Sequence, residues 1–205
     1  MENNYSVINI KAFLDKDNED TYIGEERLYQ MLSDFSCPKN PDVENFLLKD
    51  AIEFTKKQQS ITYLVFDSYT TDLLGYFALT IKPITIHLTN DFSKTNIKKL
   101  QRVSTQNEET NAYTLPAYLI AQLGKNYTLP KELRIDGSLL LDFALDTIRG
   151  LQYAIGGILE FLECDDNEFL LNFYKKNHFK EFDTRIAISK YDNKEHLLHQ
   201  LLKFI

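Results

Sequence analysis

The chain has 205 residues, of which 43% are apolar, 26% charged and 13% aromatic, with seven Gly and five Pro. These values exclude collagen-like, Pro-rich and largely disordered chains, and they supply enough bulky apolar material for a hydrophobic core. A net charge of −7 argues against reliance on broad electrostatic attraction to nucleic acid or anionic lipid, while a local basic groove stays compatible with it. The polar opening holds no signal-peptide core and no uncharged run approaches a membrane span, so no membrane association and a cytoplasmic location are expected. Cys37 and Cys164 cannot build a disulfide framework and show no metal-ligand spacing, so no metal is expected.

Alternation over residues 5–13 predicts an opening strand. Residues 25–35 read as a short helix. Asn40-Pro41-Asp42 has the form of a helix start, with Asn as N-cap, Pro at the first position and Asp in the first turn. Val43, Phe46, Leu47, Ala51 and Phe54 then share a helical face that ends near Lys57. Residues 61–67 and 73–81 are rich in β-branched and aromatic side chains, and the short polar segment between them predicts an antiparallel hairpin. Residues 85–113 are polar and weakly periodic, and read as an insertion carrying a short helix.

Residues 116–124 form a near-continuous apolar run, a buried strand. After a loop, Leu140, Leu141, Ala144, Leu145 and Ile148 mark a helix stopped by Gly150. Residues 154–163 read as a second buried strand. A helix then opens through Asp165 or Asp166, with Glu168 in its first turn. Residues 185–191 alternate as a strand, and residues 194–205 are expected to close the chain as an amphipathic helix. The order predicts one α/β domain over residues 1–205 with a mixed sheet. A right-handed crossover places residues 117–123 and 158–162 side by side and parallel.

Residues 158–179, ILEFLECDDNEFLLNFYKKNHF, run as a strand, an acidic turn with Asn167, and a helix holding Phe173-Tyr174 five residues before Phe179. This segment resembles the last conserved segment of the GNAT family of N-acetyltransferases. There, a strand and an Asn-containing turn lead into a helix ending in Phe-Tyr, three residues, then Gly-Phe. His178 stands at the Gly position, and histidine can adopt the left-handed conformation that a helix C-terminus favours. Residues 121–145 resemble the family's acyl-CoA segment: strand, loop, and a helix whose N-terminal amides bind a diphosphate. The family's Gln/Arg-x-x-Gly-x-Gly/Ala pattern fits in two registers, one through Glu132, Ile135 and Gly137, the other through Arg134, Gly137 and Leu139. Upstream, Phe35-x-Cys37, the helix after Asn40 and the strand Gly75-Tyr76-Phe77 resemble a subgroup that includes toxins of bacterial toxin–antitoxin modules, which acetylate aminoacyl-tRNA. The resemblance runs from about residue 35 to about residue 182, and implies a GNAT-like mixed, mostly antiparallel sheet with a splayed parallel strand pair, flanked by helices.

It further implies an enzyme that uses acetyl-CoA to acetylate a primary amine by direct attack. Tyr174 would be the general acid that protonates the departing thiolate, a reasonable match for a phenol with a pKa near 10. Glu163, at a strand end, is the candidate base, with a water relay as the alternative. Leu123, Gly124 and Lys125 would offer main-chain groups to the pantetheine arm, bound like an added strand. Arg134, Ile135, Asp136, Gly137 and Ser138 would form the diphosphate loop, and Asn167 would hydrogen-bond the pantetheine or cap its helix. No His is locally placed to activate Cys164, so it is not expected to be a nucleophile. A toxin-type enzyme would have charged tRNA and a small antitoxin as partners. The glycine-poor loop suggests the alternative of a degenerate acyl-CoA-binding non-enzyme. Monomer and homodimer are both compatible with the sequence.

Overall fold

A computed structural model describes residues 5–88 and 92–205; residues 1–4 of the polar opening and 89–91 of the expected insertion lie outside the described residues. In chain order the elements are β1 (Tyr5–Asn9), α1 (Ile10–Leu14), α2 (Glu25–Leu32), α3 (Pro41–Asn45), a π-helical turn (Phe46–Asp50), α4 (Ala51–Lys56), β2 (Ile61–Asp67) and β3 (Leu73–His87). They continue with α5 (Lys94–Gln101), β4 (Gln106–Asn107), β5 (Ala112–Lys125), a 3₁₀ turn (Lys131–Leu133), α6 (Gly137–Ile155), β6 (Leu159–Asp165), α7 (Glu168–Lys176), β7 (Lys180–Ile188) and β8 (Glu195–Phe204). The strands follow the order β1-β2-β3-β5-β6-β8-β7, with β4 paired to β5. The sheet is mostly antiparallel with one parallel pair, and helices flank it, as the resemblance implies.

The chain forms two compact units, each assembled from separated stretches. The first takes residues up to 80, 120–147 and 188–194; the second takes 81–119, 148–187 and 195–205.

In the first unit the expected hairpin forms, with Tyr63 opposite Phe77 and Leu64 opposite Tyr76. Asp67 turns the chain by accepting the amides of Tyr69 and Thr70 at 2.8 and 3.0 Å. Asn40 caps α3 as predicted, accepting from Asp42 N and Val43 N at 3.1 and 3.2 Å, a contact of about 1 kcal/mol. The extra residue of the π turn lets Phe46, Leu47, Ala51 and Ile52 all face inward. They join Ile10, Leu28, Leu32, Leu64 and Tyr76 in one core. The opening strand is shorter than its alternation predicts. Asn9 accepts the Lys11 amide at 2.9 Å and starts α1, because Ile10 and Phe13, three apart, are both buried.

The second unit corrects three expectations. Among the described residues of 85–113 the expected short helix forms as α5, but the segment is more ordered than its weak periodicity predicts: β3 runs on to His87, and Ile86, Leu100 and Tyr113 join this unit's core. Gly150 does not stop its helix. A Cβ there would meet nothing within 4 Å, and a glycine in a helix costs only about 1 kcal/mol against alanine. The helix ends at Gly156, which holds φ at +80° and returns its N–H to Gln152 O at 2.8 Å, so the next strand begins at Leu159 rather than at 154. Finally, residues 194–205 are not a helix but hold strand β8, which pairs with β6 from Leu159↔Phe204 to Asp165↔Leu198. Leu201 and Leu202 are adjacent and both buried, at 0% and 1% exposure. Adjacent strand residues point to opposite faces, so the leucine doublet fits an interior strand covered on both sides. Among the described residues no helix is long and apolar enough to cross a membrane.

Candidate active site

The predicted site residues fall in both units. In the first unit, Leu123, Gly124 and Lys125 are the last residues of β5. Gly124 is demanded by packing: a Cβ there would come within 2.5 Å of Val43 and 2.8 Å of the Tyr76 ring. The chain then turns at Asn126, which the sequence reading did not single out. Its side chain accepts from Ser36 N and Thr128 N and donates to Leu73 O at 2.9 Å. An Asn just past a strand, two residues before a Thr, carries a local Asx-turn signal; its bonds to residues 36 and 73 do not.

Arg134 is committed to this loop. Its Nε donates to Leu129 O at 2.7 Å and its Nη2 to Tyr127 O at 2.9 Å, with the guanidinium over the Tyr127 ring. Three of its five N–H donors remain for a ligand. Ile135 is buried. Asp136 is the N-cap of α6: its carboxylate accepts Ser138 N at 2.8 Å and its carbonyl accepts Leu140 N at 3.0 Å. Gly137 is therefore the first helical residue. Asp136 was expected to help bind a diphosphate, yet it sets a negative charge at the helix end a diphosphate would use.

In the second unit, Asn167 caps α7, accepting from Phe169 N and Leu170 N at 2.9 and 3.2 Å. Asp166, one of two residues expected to open the helix, instead contacts His199. The other end of α7 explains the Phe-Tyr…His-Phe spacing. Phe179 N bonds to Tyr174 O and His178 N to Lys175 O, both at 3.1 Å, and His178 holds φ at +69°. This is a Schellman stop, in which a hydrophobic contact joins the residue after the left-handed position to the residue five earlier. Here that contact is Tyr174 with Phe179, their ring centroids 6.0 Å apart. The motif thus fixes Tyr174 in place, and Phe173 adds an edge-on contact.

Tyr174 is buried, and burial first, then the Cys164 thiol, pushes its pKa well up. Its hydroxyl carries its proton throughout the neutral range, as an acid must, but the upward shift makes it a weaker donor than the ordinary phenol matched to the thiolate above. Burial and the neighbouring carboxylates of Asp165 and Glu181 push the Cys164 thiol up to about 12, so it is a protonated packing residue and no nucleophile.

Glu163 does not stand free as a base. Arg185 binds it through Nε and Nη2 at 2.7 and 2.6 Å, and Gln200 Nε2 adds a bond at 2.6 Å. Burial opposes ionisation, but these donors prevail and hold the carboxyl below its usual value. A carboxylate with both oxygens engaged and a lowered pKa is a poor proton acceptor. Neither partner could be found locally, since Arg185 and Gln200 lie 22 and 37 residues away. The Glu163–Arg185 pair lines a cleft of about 370 Å³, together with Leu119, Phe161, Lys82 and His87. His196 and His199, expected on a helix, lie on β8. His199 bridges Glu181 at 2.7 Å and Asp166 at 3.2 Å.

No family model matches the sequence, and no curated protein matches it. Solved structures of bacterial toxins share the fold. A tyrosine-to-phenylalanine mutant of KacT is 18% identical, with 98% of this chain and 95% of that one covered and a TM-score of 0.62. AtaT complexed with acetyl-methionyl-tRNAfMet is 18% identical over 95% of this chain and 93% of that one, with a TM-score of 0.61. A tyrosine-to-phenylalanine mutant of AtaT bound to the C-terminus of the antitoxin AtaR and acetyl-CoA is 15% identical over 98% and 94%, with a TM-score of 0.57.

Proposed function

We propose that this chain is an acetyl-CoA-dependent N-acetyltransferase in which a primary amine attacks the thioester directly and Tyr174 protonates the departing thiolate. The observation that carries the reading is the Schellman stop that clamps a buried, protonated Tyr174 five residues before Phe179. The amide of Gly137 at the start of α6 and the spare donors of Arg134 would hold the diphosphate. Main-chain groups at Leu123 to Lys125 would meet the pantetheine arm. The base is water rather than Glu163, whose oxygens Arg185 and Gln200 already occupy. Acetyl-CoA should raise the melting temperature of the chain, because a ligand that binds only the folded state stabilises it. Labelled acetyl-CoA with a panel of amines, peptides and charged tRNA tests transfer. No thermal shift and no transfer to any acceptor would leave a non-enzyme.

A second reading names the acceptor as the amine of charged tRNA, with a small antitoxin as partner and the cytoplasm as the place of action. It is favoured by the likeness in fold to proteins solved with acetyl-methionyl-tRNAfMet and with an antitoxin. The net charge of −7 opposes broad RNA binding, so contact would fall to local cations such as Lys98, Lys99 and Arg102. Label appearing in the RNA fraction, and not in peptide, separates this reading from a general amine acetyltransferase.

A further inference from the structure

We propose that Lys203 is a positioning residue for Tyr174, acting through the ring of Phe179. The inference rests on the reading of Tyr174 as the acid that protonates the thiolate. All of the groups involved belong to the second unit. Glu160 and Cys164 are four apart on β6, so their side chains leave the strand on the same side. The Cys164 thiol is the group that acts on Tyr174, and Lys203 of β8 stands directly across the ladder from Glu160. Lys203 Nζ lies 3.3 Å from Glu160 Oε1 and 5.4 Å from the centroid of the Phe179 ring. The Phe179 ring in turn meets the Tyr174 ring at 6.0 Å and 72°. A chain of contacts thus runs from a buried carboxylate, through one ammonium and one ring, to the proposed acid.

The Schellman bonds fix the backbone of Tyr174 and Phe179 but not the tilt of their rings. Apolar contact is non-directional, so burial alone leaves a ring free to adjust. A cation over a ring face is directional, because the ring's quadrupole attracts it there and not at the edge. The cation is itself held. Glu160 is 3% exposed, and burial pushes its carboxyl up, while Lys203 first and then Arg149 of α6 pull it back toward the charged form. A buried ion pair adds little stability over an apolar pair of the same volume. The next pair along the same face, Leu162 with Leu201, is apolar and fully buried, so this face would accept another apolar pair in place of Glu160 and Lys203. What the two charges add is direction. A displacement of about 1 Å in a reacting group can cost roughly 10²-fold in rate, so the tilt of the Tyr174 ring is a quantity that catalysis registers.

The test separates orientation from stability in the full chain. Lys203→Met removes the ammonium and keeps the stem, but it strands the Glu160 carboxylate in the interior, so the melting temperature should fall. Glu160→Gln combined with Lys203→Met removes both charges and should melt close to the parent. Turnover should be down about tenfold in the single and the double variant, with acetyl-CoA affinity unchanged. Lys203→Arg keeps a cation that can sit over the ring, and should hold turnover near the parental rate. Fluorotyrosine incorporated at position 174 gives a readout that needs no acceptor. Its fluorine resonance should move in the double variant and stay at the parental position in Lys203→Arg. A double variant that recovers parental turnover together with its stability would overturn the proposal, and so would a fluorine resonance that does not move. Normal turnover in Tyr174→Phe would remove the acid and this proposal together. A defective Tyr174→Phe beside a fully active double variant would remove this proposal alone.

Discussion

The start of α6 and the end of α7 each carry a motif in which one glycine of the GNAT pattern is replaced in this chain. At the end of α7 the change is conformational. His178 takes the left-handed position at φ +69°, the two Schellman bonds form, and Tyr174 is held as the motif requires. At the start of α6 the change is chemical. Ile135 turns into the interior, and Asp136 caps the helix with a carboxylate that already binds Ser138 N. A residue that merely strains a backbone position leaves the geometry intact at a cost in stability. A residue that supplies its own ligand to a helix end alters what that end can bind.

The largest expected effect lies at the end with preserved geometry. Tyr174→Phe removes one oxygen and keeps both ring contacts. Turnover with the best acceptor should fall roughly 10²-fold, with acetyl-CoA affinity nearly unchanged. Normal turnover would reduce the α7 motif to packing.

Gly137→Pro probes the other end. Proline is favoured at the first helical position, where its missing N–H has no helical partner, so melting should be unaffected. Loss of one amide facing a charged group should weaken acetyl-CoA binding about tenfold, measured by calorimetry. Unchanged affinity would move the diphosphate away from α6.

His178→Gly sharpens the contrast from the side of stability. Relief of the left-handed strain should raise the unfolding free energy by about 1 kcal/mol in a denaturant titration, with turnover unaltered. Asp136→Asn is milder. It keeps a competent cap and removes the charge, so acetyl-CoA should bind two- to threefold tighter, about 0.5 kcal/mol at a helix N-terminus. Weaker binding would show that the carboxylate assists the ligand.

The smallest effect is a pH dependence in the second unit. Hydrogen bonding to Glu181 is the main cause that raises the His199 pKa, and the bond with His199 lowers that of Glu181. A raised His contributes stability that is complete below its ordinary 6.5 and lost as pH rises through the raised value. A lowered Glu contributes stability complete above its ordinary 4.5 and lost as pH falls through the lowered value. The melting-temperature advantage of the parent over His199→Gln should therefore peak between pH 4.5 and 6.5 and fade on either side. A difference that does not vary with pH would mean that His199 contributes by packing alone.

Much of this architecture is written locally. Asn40-Pro41 starts a helix because a side-chain acceptor and a fixed φ satisfy the first turn without help from elsewhere. Asn167 does the same for α7, and β-branched and aromatic runs make β2 and β3 pair across a short polar turn. The Tyr174–Phe179 spacing is legible for the same reason: a Schellman stop needs only six consecutive residues.

Tertiary structure decided the rest. Residues 195–204 have leucines that satisfy a helical face and a doubly covered strand equally well, and only the place beside β6 selects the strand. Gly150 is a helix terminator by propensity, but α6 runs past it to Ile155 and closes where Gly156 takes a positive φ. Glu163 has the composition of a strand-end base until Arg185 and Gln200 arrive from distant positions to occupy both its oxygens. Caps and turns draw their energy from atoms a few residues apart, so the sequence determines them by itself. A strand's burial on two faces and a carboxylate's proton affinity depend on residues that only the folded chain brings near.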